Sequence, residues 1–246
     1  MRITITESVE PLLELKSPRE FAQVFYDILQ IHQWLYEHAG ILYRDLSIGN
    51  IMCRRIGNRV YGVLNDFDVS SYVRDLGLES SKDRRGTRPF MAYDLLSKEW
   101  TGEHMYRHDL ESLFCIMLIV CCNYRRPNRR ADRRPYSNWF LGVDAEVRWR
   151  KKTFLLSTGD ISTNIQNYFL GFEQWLTTLS SWLRSGYKES LALQEREERE
   201  EEEGEVKPFD FATLGGRITY KEMNDLMCSF QDQPLETRPT GGNPNN

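Results

Sequence analysis

The chain has 246 residues, 40% of them hydrophobic and 12% aromatic, enough apolar material for the core of one large domain or two small ones. A formal net charge of −4 and a pI near 5.7 argue against a general affinity for nucleic acid or membrane surfaces, while leaving room for local clusters of either sign. The five cysteines form no CxxC pair and have no histidine at zinc-finger spacing, which excludes an evident disulfide framework or zinc site and favours a reducing compartment.

In chain order, the alternation in "RITIT" predicts a short N-terminal strand, and "MRITITESVEPLLELK" carries charge where a signal peptide needs an apolar run. Phe21, Val24, Phe25, Ile28, Ile31 and Leu35 then recur at helical spacing. Ser17 suits the cap of that helix, Pro18 its first turn, Glu20 the position three after the cap, and Gly40 a left-handed exit. "IMCRR" and "VYGVLND" read as two strands joined at Gly57-Asn58, a hairpin. Val69 to Phe90 shows no sustained period and reads as a long loop, of the kind that is usually functional or disordered.

"DLESLFCIMLIVCC" is apolar on nearly every face after Glu111, which predicts a helix buried in the core, and its run is too short to span a membrane. The expected setting is therefore intracellular, cytoplasmic or nuclear, and not secreted. "NYRRPNRRADRRPYSNW" packs six arginines, Arg125 to Arg134, into a proline-broken stretch that reads as a plain solvated loop, with recognition of phosphate or an acidic partner as the alternative because guanidinium forks match those anions. "DAEVRWRKKTFLL" and "IQNYFLGFEQWLTTLSSWLRSGY" predict two further helices. The expected organisation is a lobe over 1–190, an acidic disordered segment over 191–206, a helical end over 207–230 and a disordered tail over 231–246.

The chemistry concentrates in "YRDLSIGN", where Asp45 stands five positions before Asn50, and in "NDFD", where Asp66 closes the second strand of the hairpin. Phosphoryl transfer needs a group that orients or deprotonates the acceptor hydroxyl and oxygen ligands for magnesium on the triphosphate. Asp45 suits the first task and Asn50 with Asp66 the second. "GTRPFMAYDLL" and "HDLESLFCIML" follow in the order a protein kinase would place them.

On these four pieces the chain resembles the C-terminal lobe of a eukaryotic-type protein kinase, most closely the fungal-type protein kinase family, over roughly Thr4 to Asn123. The resemblance implies a mainly α fold with a small β-hairpin, ATP and Mg2+ as cofactors, and a protein substrate presenting a Ser or Thr hydroxyl, with no specific nucleic acid and no membrane. It implies catalytic roles for Asp45, Arg44, Ser47 and Thr87, with Thr87 hydrogen-bonding near Asp45. It implies metal ligation by Asn50 and Asp66. Asp109 would hold the catalytic-loop backbone, and Asp94 would pair with a late arginine, for which Arg184 is a candidate.

Several departures qualify this. Tyr43 stands where a His is usual, and Ser47 where most protein kinases have Lys. Asp68 replaces a Gly and is either a further metal ligand or a solvated turn residue. No G-x-G-x-x-G and no V-A-I-K-like strand occurs, and about forty residues precede Asp45. The expectation is thus a truncated form with the N-terminal lobe missing. Two alternatives stand beside it: a catalytically inactive kinase-like interaction module, and a small-molecule phosphotransferase of the same fold. His104 and His108 read as packing or surface residues, because neither has a partner at metal spacing.

Overall fold

The computed structural model describes residues 8–76, 86–98, 100, 102–157, 159–197 and 209–238. The strand expected in "RITIT", most of the long loop after Leu76 and most of the acid-rich stretch lie outside these residues.

Helix α1 (Pro18–Glu37) begins where its chemistry dictates. Ser17 Oγ accepts from the Glu20 amide at 3.3 Å, Pro18 occupies the first turn, and Gly40 takes φ +63° just beyond the end. The Glu20 carboxylate accepts from the Lys16 amide at 2.6 Å and holds Arg55 through both guanidinium nitrogens at 2.7 and 2.9 Å. That paired contact ties the start of α1 to a three-stranded antiparallel sheet of order β1 (Glu10–Pro11), β3 (Ile51–Ile56), β4 (Arg59–Leu64).

Strands β3 and β4 are in register from Ile51↔Leu64 to Ile56↔Arg59, with Gly57 at φ +58° in the connection. Strand β4 lies directly against α1. A Cβ at Gly62 would come within 2.9 Å of both the Val24 carbonyl and Asp27 Cβ, so the two backbones approach closely only because this residue has no side chain. The Gly62 amide donates to Asp27 Oδ2 at 2.8 Å in that contact. A second antiparallel pair, β2 (Ile41–Leu42) with β5 (Ser71–Tyr72), flanks the segment that follows α1.

Helix α2 (Tyr106–Asn123) is the centre of the core. Every residue from Arg107 to Asn123 is buried, including the charged Arg107, Asp109 and Glu111 and the thiols of Cys115, Cys121 and Cys122. Burial pushes the pKa of each thiol above its usual range, to about 11 for Cys115, so these cysteines are small core groups and not nucleophiles. Helices α3 (Asp144–Leu156) and α4 (Glu173–Glu197) pack around it, with Phe169, Phe172 and Trp175 filling the junction with α1.

Ordered structure extends past two of the expected boundaries. Helix α4 continues through Glu197, inside the stretch expected to be acidic and disordered from 191, where Leu191 and Leu193 are still partly buried. Beyond α5 (Tyr220–Met227), strands β8 (Ser229–Phe230) and β9 (Gln233–Pro234) pair, and Arg238 bonds Asp27 through Nε at 2.9 Å and Nη2 at 3.0 Å. The expected tail from 231 is therefore structured as far as Arg238, because a buried carboxylate and the exposed edge of the hairpin take it up. The arginine-rich loop likewise contains a hairpin, β6 (Tyr124–Arg126) with β7 (Arg129–Arg130), turned at Asn128 with φ +54°. Among the described residues, no helix is long and apolar enough to cross a membrane.

Candidate active site

Strand β2 delivers the chain into Tyr43–Asn50. Tyr43 is fully buried; its hydroxyl donates to the Asn65 carbonyl and its ring packs edge-on against Phe67 at 5.2 Å. Burial, then the charges of Asp45, Asp66 and Asp109, push the phenol well above its usual range, so it remains a protonated donor. It pegs the loop to the far end of the hairpin.

Arg44 takes φ +76°, a conformation that a long side chain adopts only when its surroundings impose it. Two contacts do so. Its amide donates to Asp109 Oδ2 at 2.9 Å, and its Nη1 donates to Ser71 Oγ in β5 at 2.6 Å.

Asp45 follows, half-buried. Its Oδ1 accepts from both the amide and the hydroxyl of Thr87, at 2.8 and 2.9 Å, across 42 residues of sequence. Asn50 Nδ2 donates to the Asp45 carbonyl at 2.9 Å and to its Oδ2 at 3.3 Å. The amides of Asn50 and Ile51 both donate to the Ser47 carbonyl, at 3.1 and 3.2 Å. The five-residue spacing thus has a local reason: the carboxamide reaches back across a turn closed on Ser47 and locks Asp45 in place. Ser47, 5% exposed, is part of that turn's interior.

The hairpin brings Asp66 to the same place. The Asn65 amide donates to the Asn50 carbonyl at 2.9 Å, continuing the ladder one step past Ile51↔Leu64, and Asp66 comes next with φ +60°. Asp66 Oδ1 accepts from the Asp68 amide at 3.3 Å, an Asx turn that leaves Asp68 exposed.

Among the described residues, no Lys or Arg pairs with Asp45, Asp66 or Asp68, and none donates to Asn50 Oδ1. These are hard oxygen donors with no His or Cys between them, a set suited to magnesium. Among the described residues, no group of three or more His, Cys, Asp or Glu converges to hold a cation alone.

Behind the loop, Asp109 is fully buried in the first turn of α2. Besides Arg44, its Oδ2 meets His32 Nε2 at 2.8 Å, and its Oδ1 meets His104 Nε2 at 2.9 Å. His32 Nδ1 lies 2.7 Å from the Tyr220 hydroxyl on α5. Burial alone would raise the Asp109 carboxyl, but the two imidazoles hold it far below the usual carboxylate range.

Asp94 pairs with Arg107 Nη2, whose Nε donates to the Phe211 carbonyl and whose Nη1 donates to the Tyr187 hydroxyl at 3.2 Å. Tyr187 in turn donates to Glu111 Oε2 at 2.6 Å, while the Tyr93 amide donates to Glu111 Oε1 at 2.8 Å. The partner of Asp94 is therefore Arg107, close by in sequence, and not a late arginine. Arg184 instead lies over the Phe154 ring at 5.2 Å, on the side of α4 that faces α3. His108 is wholly buried 3.7 Å from Asp94, and burial with the neighbouring Arg107 lowers it to about 3, so it is neutral. His104 and His108 are thus buried hydrogen-bonding residues and not surface ones.

Sequence reasoning missed His32, Arg107 and Glu111. The available signal was the clustering of Arg107, Asp109 and Glu111 at the head of a helix otherwise apolar all round, since buried charges require partners.

The family profile described as fungal protein kinase matches residues 1–121, a span that holds Asp45, Asn50, Asp66, Thr87, Asp94 and Asp109. No curated protein matches the chain.

Proposed function

Because residues 1–121 belong to the fungal protein kinase family, we propose that this site is the acceptor-and-metal half of an ATP-dependent protein kinase centre, transferring phosphate to Ser or Thr hydroxyls. The observation that carries the reading is the convergence on Asp45 of Thr87, 42 residues downstream, and of Asn50, with Asp66 at the adjoining end of the hairpin.

Asp45 receives the acceptor hydroxyl's hydrogen bond and orients its oxygen for attack. Thr87 and Asn50 hold that carboxylate against rotation, so the acceptor meets a fixed group. Asn50 Oδ1 and Asp66 would hold Mg2+, with Asp68 as a further candidate; bound there, the metal neutralises charge on the nucleotide phosphates. Arg44 and Asp109 act through the backbone, fixing the direction from which Asp45 enters the site. Ser47, buried in the turn, supplies no positive charge where most protein kinases place one.

The test is transfer of labelled phosphate from ATP, with magnesium, to Ser/Thr peptides and to small alcohols in parallel. Peptide transfer that falls by about 100-fold or more in Asp45→Asn supports the reading. Equal transfer after Asp45→Asn and Asp66→Asn overturns it, and preferential transfer to the small alcohols reassigns the acceptor class.

A second reading is a kinase-like interaction module without catalysis. It predicts no magnesium-dependent ATP binding by calorimetry, whereas binding at millimolar nucleotide or below counts against it.

A further inference from the structure

A cavity of about 390 Å3 opens at the C-terminal end of α2, between the arginine hairpin and the segment Ser137–Leu141. Its apolar side is formed by Ile119, Phe140 and Leu141, the last two 51% and 63% exposed. Its polar side carries Arg130 and Arg134. Neither guanidinium has an acidic partner among the described residues; the one acid of the hairpin, Asp132, pairs with Arg125.

The inner end of the cavity holds Asn123, only 4% exposed. Its Oδ1 accepts from the Tyr136 amide at 3.4 Å, which directs the carboxamide, and no described residue accepts from its Nδ2. That carboxamide lines the cavity and offers a donor to a group that enters it. The negative end of α2 opposes an anion less here, because three of its last carbonyls are already bonded. Cys121 accepts from the Gln166 amide, Cys122 from Gln166 Nε2, and Asn123 from the Ala131 amide.

We propose that this cavity binds a phosphorylated side chain of a polypeptide, with an adjacent apolar residue against Phe140 and Leu141. Two forked guanidinium groups and an amide donor match a phosphate dianion better than a single carboxylate. The compact cavity and its exposed apolar wall, on a chain of net charge −4, fit a peptide better than a nucleic-acid backbone.

The cavity wall is continuous with the catalytic loop. Phe140 packs edge-on against Phe90 at 5.9 Å, Arg88 donates to the Gly142 carbonyl, and Thr87 bonds Asp45. On the kinase reading, on which this part rests, a substrate already phosphorylated a few residues from its acceptor hydroxyl would be bound at both places.

The experiment is a fluorescence-anisotropy titration of the whole chain, without nucleotide, against a labelled peptide carrying phosphoserine beside leucine. The unphosphorylated peptide, inorganic phosphate and a short single-stranded oligonucleotide serve as competitors. Binding at least tenfold tighter for the phosphopeptide, abolished by Arg130→Ala with Arg134→Ala and weakened several-fold by Phe140→Ser, supports the proposal. Asp45→Asn should leave this binding unchanged, so its survival in a chain without transferase activity separates the site from the kinase reading. Equal affinity for both peptides, retention in the double arginine variant, or equal competition by phosphate or oligonucleotide overturns it.

Discussion

The Arg44 amide donates 2.9 Å to Oδ2 of Asp109, a carboxylate 65 residues downstream in the first turn of the most deeply buried helix. Through it the core dictates a left-handed backbone at Arg44, and so sets where Asp45 points. His32, His104 and the Arg44 amide together satisfy both oxygens of a carboxylate that would otherwise be intolerable at that depth. Asp109→Ala should therefore cost about 3–5 kcal/mol, the range for breaking a buried pair, measured by denaturant unfolding.

The same carboxylate sets an acid limit. Its pKa in the folded state lies below the unfolded value near 4, so the folded state favours the ionised form. That contribution is complete above the unfolded value and is lost as pH falls below it. Thermal unfolding between pH 3 and 7 should show a steep acid limb, and Asp109→Asn should flatten it while lowering stability at pH 7.

Thr87→Val separates two contacts on Asp45. The amide bond at 2.8 Å survives and the hydroxyl bond at 2.9 Å is lost, at a position on the surface. Stability should change by less than about 1 kcal/mol. Phosphate transfer, where present, should fall about tenfold through the turnover number and not through nucleotide affinity, because only the acceptor-side carboxylate is loosened.

Gly62→Ala puts a methyl group within 2.9 Å of the Val24 carbonyl and Asp27 Cβ. Neither atom is the end of a flexible side chain, so strand and helix must separate. A loss of about 1–3 kcal/mol is expected, measured by chemical denaturation.

Arg238→Ala removes the cation from Asp27, which is 1% exposed and also accepts from Gln23 and the Gly62 amide. Burial already raises the Asp27 carboxyl despite Arg238, Gly62 and Gln23, and the substitution should raise it further. A raised carboxyl favours the folded state at low pH and loses that advantage as pH rises through the folded value. The variant should therefore be destabilised more at pH 7 than at pH 4, by about 2 kcal/mol at neutral pH, less than a fully buried pair because Arg238 retains some solvent.

Features fixed by neighbouring residues were legible in the sequence. The Ser17 cap and Gly40 exit bound α1, Gly57-Asn58 turns the hairpin, and the all-round apolar run marks α2, because caps, turns and periodicity act within a few positions. What sequence did not reveal depends on meetings between distant segments. His32 finds Asp109 only because α1 crosses the head of α2, and Asp94 finds Arg107 because the intervening chain folds back on itself. "QDQPLETRPT" has the composition of a linker, yet one arginine in it answers a buried carboxylate near the other end of the chain. Gly62, a glycine inside a strand pattern, was the one local clue to close backbone approach.

Asp27 and Arg238 are separated by 211 residues, so the strand that leads to Asp66 rests against a helix whose buried charge is answered only late in synthesis. At about 5–20 residues per second, translation leaves that carboxylate without its cation for about 10–40 seconds. During this interval the α1–β4 seam lacks the Arg238 contacts to Asp27 and to the Val60 carbonyl. A ribosome stalled before residue 238 would display an acceptor loop already built upon a support still waiting for its final counter-ion.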